Sequence, residues 1–173
     1  MTEFRIDELR TARLLLTRMR EDDWPDLHGM YINPRVMATL GGLRSEEQTR
    51  ELLRGHFAHW EEHGFGWWVA RDSSTGAFAG RGGLRRRIVG GLEEVEVGYA
   101  LLPEFWGRGL ATELAAESAR IGFEVLGLSE LISMALPTNG ASRRVMEKVG
   151  FRYERDIVHA DLPHVLYRLA ASR

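Results

Sequence analysis

The sequence contains no cysteine and no long apolar run, and these two absences exclude several classes of protein. Without cysteine, the chain has no disulfide bond, no thiolate zinc site and no cysteine nucleophile. No stretch reaches the 18 or so apolar residues that a membrane span needs. The opening segment, MTEFRIDELR, mixes charges of both signs and has no apolar core of a signal peptide. We therefore expect a cytoplasmic protein without a membrane partner.

The chain also lacks an excess of charge of either sign. Lys and Arg number 23 against 25 Asp and Glu, for a formal net charge of -2. Nothing in this balance indicates binding to a nucleic-acid backbone, and we expect no nucleic-acid partner. The densest basic cluster, Arg85 to Arg87, is interpreted as the solvated end of a strand, with a phosphate site as the alternative.

Composition and length indicate one globular domain. The chain has 173 residues, of which 44% are hydrophobic and 28% charged, as in ordinary soluble proteins. No linker, repeat or low-complexity tract divides it. We therefore expect a single domain over residues 1–173.

The first half of the chain predicts one strand, two helices and then three strands. The acidic residues of EDDW, at 21–24, favour the start of a helix. Ser45 and Gln48 form a capping box for a second helix, which is predicted to end at Gly64. Alternating apolar residues predict strands over residues 12–18, 66–72, 77–84 and 93–102.

The second half predicts two more helices and three more strands. Helical spacing runs from Gly109 to Leu126, and a further helix from Asn139 to Gly150. Strands are predicted over residues 130–136, 151–158 and 164–169, the last two joined by a loop containing Asp161 and Pro163. The expected fold is of the α/β class, a mixed, mostly antiparallel sheet of six to seven strands with about four helices on its faces.

The segment GYALLPEFWGRGLATEL, residues 98–114, carries the clearest functional signal. A strand runs through Pro103 into a glycine-rich turn that opens a helix. A helix N-terminus presents unpaired N–H groups and a partial positive charge, so such a turn can bind a pyrophosphate. The P-loop and the dinucleotide fingerprint do not fit, because there is no G-K-[ST] and no third glycine at Thr112. The sequence predicts an anion site built from Gly107, Arg108, Gly109, Leu110 and Ala111.

This turn resembles the acetyl-CoA signature of the GNAT superfamily of N-acetyltransferases, [Q/R]-x-x-G-x-[G/A]. Trp106 departs from Q/R, and together with residues 96–99 and Pro103 it resembles the ribosomal-protein N-terminal acetyltransferase branch (RimJ/RimL-like). Further similarity to the family extends over almost the whole chain, at Thr11 to Arg18, Asn33 to Met37, Asn139 to Ser142, Glu147 to Phe151 and the terminal V-L-Y-R-L.

The resemblance implies acetyl-CoA as co-substrate and assigns residues to it. In the family, two neighbouring strands splay apart, and the main-chain groups of Tyr99, Ala100 and Leu101 would pair with the pantetheine arm. The cofactor's phosphates would lie on the turn formed by Trp106, Gly107, Arg108, Gly109, Leu110, Ala111 and Thr112. Asn139 would contact the pantetheine arm, although an asparagine at a helix start also serves as a plain N-cap.

Two residues are candidates for catalysis. Glu96 alternates with the apolar Val95 and Val97, and the resemblance places it beside the thioester as a general base; a solvated strand carboxylate is the alternative. Many family members carry a tyrosine acid seven residues after the asparagine, where this chain has Met146. Ser142 would lie near the cofactor sulfur, or would simply bond its own helix backbone.

No metal site is expected. His56, His59 and His63 share one helix face, but no H-E-x-x-H template is present, and histidines near a helix C-terminus favour the helix dipole. By family analogy, Trp24, Tyr31, the loop to Gly42 and residues 156–164 would line the acceptor pocket.

The sequence therefore predicts an enzyme that moves the acetyl group of acetyl-CoA to a primary amine, of a protein N-terminus or a small molecule, by direct attack in a ternary complex. The alternative is a non-catalytic acyl-CoA-binding or sensing domain. Glu96 favours the enzyme and Met146 the sensor. The oligomeric state stays open, with a homodimer as one alternative.

Overall fold

The computed structural model describes residues 6–173. The segments with alternating apolar residues form the strands of one mixed sheet. Residues 1–5, which begin the mixed-charge segment and the expected domain, lie outside this range. Eight strands are present in the described range: β1 Glu8–Arg10, β2 Leu14–Arg18, β3 Trp67–Asp72, β4 Phe78–Val89, β5 Leu92–Leu101, β6 Glu130–Ala135, β7 Arg152–His159 and β8 Leu162–Ala170. Their order across the sheet is β1-β2-β3-β4-β5-β6-β8-β7. Neighbours are antiparallel except β5 and β6, which run parallel.

Five α-helices cover the sheet within the same range: α1 Trp24–Tyr31, α2 Pro34–Met37, α3 Glu46–His63, α4 Leu110–Arg120 and α5 Gly140–Val149. Local capping explains two of them. Ser45 and Gln48 close the predicted capping box at the start of α3, and Gly64 ends it with φ 72°. Asn139 caps α5, which ends at Gly150 with φ 111°. None of the described helices combines the length and apolar character required to cross a bilayer.

The helices pack on both faces of the sheet. Leu110 and Leu114 of α4 are buried against Val97 of β5 in the larger core cluster. Leu27 of α1 and Leu53 of α3 are buried in a second cluster on the other face. Burial of such side chains contributes about 1.5–3 kcal/mol each.

The α/β class and the mixed sheet are confirmed, with more elements than predicted. β1 and the short α2 were not predicted. The helix predicted to run from Gly109 to Leu126 changes to a π-helical turn at Ile121–Val125. The loop predicted around Asp161 and Pro163 is a two-residue turn in which Ala160 and Asp161 have positive φ, and Pro163 lies in β8 opposite Val158.

β4 differs most from its prediction, because it continues to Val89 instead of ending at residue 84. Arg85, Arg86 and Arg87 therefore lie within a strand paired with β5. The interpretation of these three arginines as a solvated strand end was wrong. The strand ends only where Gly90 and Gly91, both at positive φ, make the hairpin turn.

Candidate active site

The parallel pair β5 and β6 opens into a gap. Their pairing is centred on Glu96 and Ile132. Beyond it, Ser133 Oγ donates to Val97 O at 2.8 Å, and Trp106 Nε1 donates to Leu101 O at 2.8 Å. Since alternate residues of a strand present their main chain to the same side, the N–H and C=O of Tyr99 also face the gap. The main chain of β5 is thus available for pairing with an extended ligand.

A cavity of about 1040 Å³ occupies this gap, a size typical of ligand pockets. All the predicted site residues except Arg108 line it: Glu96, Tyr99, Ala100, Leu101, Trp106, Gly107, Gly109, Leu110, Ala111, Thr112, Asn139 and Ser142. The side chain of Arg108 instead lies 3.9 Å from Asp72 Oδ2 and over the ring of Phe105.

The glycine-rich turn places the N-terminus of α4 at the cavity. Gly107 and Gly109 have φ of 70° and 76°, a conformation that side chains with a Cβ rarely adopt. A Cβ added at Gly107 would meet no protein atom within 4 Å, so its requirement for glycine comes from the backbone angle. The N–H groups of the first turn of α4, which starts at Leu110, lack intrahelical partners and can receive an anion.

Thr11 and Arg13 hold this turn in place by hydrogen bonds to Glu113 and Arg108. Glu113, in the first turn of α4, accepts from the main-chain N of Arg13 at 2.7 Å, from Arg13 Nε at 2.9 Å and from the hydroxyl of Thr11. Arg13 Nη1 donates to Arg108 O at 2.7 Å. Burial opposes ionisation of Glu113, but these hydrogen bonds together hold the pKa of its carboxyl below the usual value. These hydrogen bonds could not be predicted from the sequence, because their partners are about 100 residues apart in the chain.

Glu96 projects into the cavity from β5. Its neighbours Val95 and Val97 are buried in the core on the opposite face, which confirms the predicted alternation. Glu96 is only 8% exposed, so it is not a solvated carboxylate. Its Oε1 lies 3.4 Å from Arg87 Nη2, and Arg85 is its cross-strand partner.

Asn139, Ser142 and Tyr99 form a small polar group across the gap. Asn139 Oδ1 accepts from Ser142 N at 3.1 Å, which is the N-cap role. The Tyr99 and Ser142 hydroxyl oxygens lie 3.0 Å apart, and Tyr99 Oη also lies 3.0 Å from Ser142 O. Burial raises the pKa of Tyr99 to about 12. Met146 is 1% exposed and belongs to the core.

Three arginines of β4 line the cavity, on the face that also presents Glu96. Arg81, Arg85 and Arg87 share this face because an even number of residues separates their positions along the strand, whereas Arg86 bonds the exposed Glu93 on the other side. Arg81 Nε donates to Tyr31 Oη at 3.1 Å. Sequence analysis missed Arg81 because a lone arginine between glycines carries no local signal.

The histidines of α3 have structural partners. His59 Nδ1 donates to Phe65 O at 2.9 Å, and its Nε2 accepts from Arg86 N at 2.9 Å; burial lowers its pKa to about 4. His56 stacks on Trp67, with ring centroids 4.6 Å apart. In residues 6–173, no group of three or more side chains could hold a metal ion.

Some of the residues expected to line an acceptor pocket line the cavity. Tyr31, Leu40, Gly41, His159 and His164 line the cavity. Trp24 does not, because it stacks on His28 with ring centroids 4.9 Å apart.

Comparisons with known proteins agree with this geometry. A family model for the acetyltransferase (GNAT) domain matches residues 13–152. "Uncharacterized protein YkkB" of Bacillus subtilis (strain 168) is 32% identical over 161 residues, which cover 92% of this chain and 94% of that protein. An acetyltransferase structure from Agrobacterium tumefaciens str. C58 has a TM-score of 0.85 at 28% identity, over 99% of this chain and 98% of that one. The spermidine N-acetyltransferase of Vibrio cholerae, solved with CoA and spermine, has a TM-score of 0.74 at 19% identity, over 91% and 95%; this last similarity shows the fold alone.

Proposed function

The chain belongs to the GNAT acetyltransferase family, and from this membership we propose that it transfers the acetyl group of acetyl-CoA to a primary amine. The observation that carries the proposal is the gap between β5 and β6, which opens beside the glycine-rich start of α4. Both features line one cavity. Such a site offers an anion-binding helix terminus and a free strand edge to the same ligand.

Acetyl-CoA fits this arrangement by its chemistry. Its pyrophosphate would accept from the N–H groups of the turn over residues 107–112. The amides of its pantetheine arm would pair with the main chain of Tyr99, and Asn139 lies beside the same path. Arg144 and Lys148, four residues apart on α5, line the cavity as well and would add positive charge for the phosphates.

The proposed reaction is direct attack in a ternary complex. An amine of this class is mostly protonated at pH 7, so Glu96 would accept a proton as general base, directly or through a water molecule. The amine nitrogen then attacks the thioester carbonyl carbon, a C–N bond forms, and the C–S bond breaks. The nitrogen gives up its second proton to solvent as the amide forms, and the CoA thiolate leaves and takes a proton from solvent. No cysteine exists to carry the acetyl group covalently.

Two acceptor classes are compatible with this proposal. The resemblance of Trp106, residues 96–99 and Pro103 to the ribosomal-protein N-terminal branch supports a protein α-amine. A small-molecule amine is the second class. The main-chain and turn contacts proposed for acetyl-CoA do not depend on the acceptor.

The test is release of free CoA thiol from acetyl-CoA when amines are added. We expect steady, amine-dependent release, with the acetylated amine identified by mass. Tight binding of acetyl-CoA by calorimetry without release for any peptide or small amine would overturn acetyl transfer. That result would favour the acyl-CoA-binding or sensing domain.

A further inference from the structure

The lining of the cavity is strongly cationic. Of the described residues that line it, seven are Arg or Lys, and Glu96 alone is acidic. Arg144 and Lys148 are accounted for by the phosphates of the proposed acetyl-CoA. Arg81 and Arg85 are not, because they lie on β4 on the face turned towards α1 and α3.

Arg81 is a buried cation with aromatic and hydroxyl partners. It is 6% exposed, and its guanidinium carbon lies 4.0 Å from the ring centroid of Trp67. Tyr31 Oη accepts from its Nε. Within residues 6–173, no carboxylate lies within 4.0 Å of the guanidinium nitrogens of Arg81. Burial of an arginine without a counter-ion is costly, so the pocket that it lines is suited to an anion.

Arg85 is a second, partly buried cation and lies beside the proposed base. Its guanidinium carbon lies 5.9 Å from the same Trp67 ring, so the two guanidinium groups are about 10 Å apart or less. Burial, and next the charge of Arg87, lower the pKa of Arg85. Arg85 also has no carboxylate within 4.0 Å in the described chain, whereas Arg87 pairs with Glu96.

Apart from Glu96, whose charge favours the charged form of Arg85, the groups around the two arginines do not compensate their positive charge. Burial, and then the charges of Arg85 and Arg81, hold the pKa of His56 well below its usual value. His159 Nε2 accepts from Arg87 Nη1 at 3.0 Å, and burial lowers its pKa too. An imidazole is either neutral or positively charged, so neither histidine can serve as a counter-ion to these arginines.

We propose that the acceptor is a small amine whose own skeleton carries a carboxylate, held by Arg81 and Arg85 while its amine lies at Glu96. The inference rests on the proposed acetyl transfer. Arg85 and Glu96 are cross-strand partners, with Cβ atoms about 5 Å apart in such pairs. One short molecule can therefore reach both. A polyamine would place its second ammonium against these arginines, which like-charge repulsion opposes.

The experiment compares three amines with the same four-carbon chain and different far ends. These are 4-aminobutanoate, with a carboxylate, 1,4-diaminobutane, with an ammonium, and n-butylamine, with a methyl group. We expect kcat/KM for thiol release to be at least about tenfold higher for 4-aminobutanoate than for either other amine, since charge-assisted hydrogen bonds are the stronger class. Equal values for the three would overturn the inference and leave acetyl transfer standing.

Variants of β4 test whether the preference for 4-aminobutanoate depends on the arginines that line the cavity. Arg85→Gln should remove most of the preference by raising KM for 4-aminobutanoate, and Arg85→Glu should shift it towards 1,4-diaminobutane. Arg86→Gln is the matched control, because it removes the same charge from the opposite face and should leave the ratio unchanged. If Arg85→Gln weakens acetyl-CoA binding and leaves the amine ratio intact, Arg85 serves the cofactor and the inference is wrong.

Calorimetry on the protein saturated with CoA separates this inference from the proposed function. Without an acetyl group no transfer occurs, and 4-aminobutanoate should still bind more tightly than 1,4-diaminobutane. Such binding without thiol release in the acetyl-CoA assay would support the carboxylate site and refute acetyl transfer. A peptide amide without carboxylates that is acetylated more efficiently than 4-aminobutanoate would contradict the inference and indicate a protein acceptor.

Discussion

The hydroxyl groups of Tyr99 and Ser142 face each other at 3.0 Å across the cleft, joining β5 to the start of α5. Neither group is a good acid for a leaving thiolate. Burial raises the pKa of Tyr99 to about 12, and a thiol, with an ordinary pKa of about 8.5, is a stronger acid than either hydroxyl. The pair can stabilise a developing thiolate by a hydrogen bond more readily than it can release a proton.

Ser142→Ala should therefore affect binding more than chemistry. We expect single-turnover acetyl transfer at saturating acetyl-CoA to fall by less than about a hundredfold, the low end of general acid catalysis. The affinity for acetyl-CoA should fall as well. Tyr99→Phe should behave similarly. A larger loss in the chemical step, with the fold intact by circular dichroism, would make Ser142 the catalytic acid.

Glu96→Gln should lower turnover by about 10²- to 10⁴-fold, the range that general base catalysis supplies. The affinity for acetyl-CoA should change little. Glu93→Gln is the control, because Glu93 is exposed, lies on the face of β5 opposite Glu96 and bonds Arg86. Steady-state thiol release from pH 6 to 9 is the measurement. An unchanged rate for Glu96→Gln across this range would exclude Glu96 as the base.

Gly109→Val should abolish acetyl-CoA binding measured by calorimetry, because a β-branched residue cannot hold φ 76° without distorting the start of α4. Gly76→Val carries the same backbone strain, at φ 77°, in the turn between β3 and β4. It should lose a similar amount of thermal stability and retain acetyl-CoA binding. Binding by Gly109→Val as tight as by the parent protein would place the phosphate site elsewhere.

His59 should make stability depend on pH. Burial lowers its pKa to about 4 in the folded chain, against about 6.5 when unfolded. Between these values the unfolded state binds a proton that the folded state does not, so its contribution to stability is present above pH 6.5 and is lost as the pH falls towards 4. His59→Gln removes the titrating imidazole, so the melting temperature should vary less with pH over this window. His63→Gln, on the same helix and partly exposed, should not; equal slopes for parent and His59→Gln would contradict the assignment.

Local signals predicted the features that neighbouring residues determine. The ends of α3 and α5 follow from Ser45, Gly64, Asn139 and Gly150, each of which acts within one turn of helix. The glycine-rich turn was predicted for the same reason, because the ability to adopt a positive φ belongs to glycine itself.

Features that depend on long-range packing could not be predicted from the sequence. Arg85 was assigned to a solvated strand end, yet its surroundings depend on Trp67 of β3 and on where the hairpin after β4 turns. Arg13 and Glu113 carry no pattern in common, although they jointly hold the start of α4. The π-helical turn after α4 likewise has no signature in the apolar spacing.

The pairing at Glu96 and Ile132 divides the sheet into five strands on one side and three on the other, within residues 6–173. Glu96 therefore lies at the closed end of the groove, where the two parts of the sheet meet, and the open edge of β5 runs from it towards Leu101. The proposed base and the strand edge proposed for the cofactor thus belong to one strand. The rise of that strand, about 3.3 Å per residue, sets the distance between them.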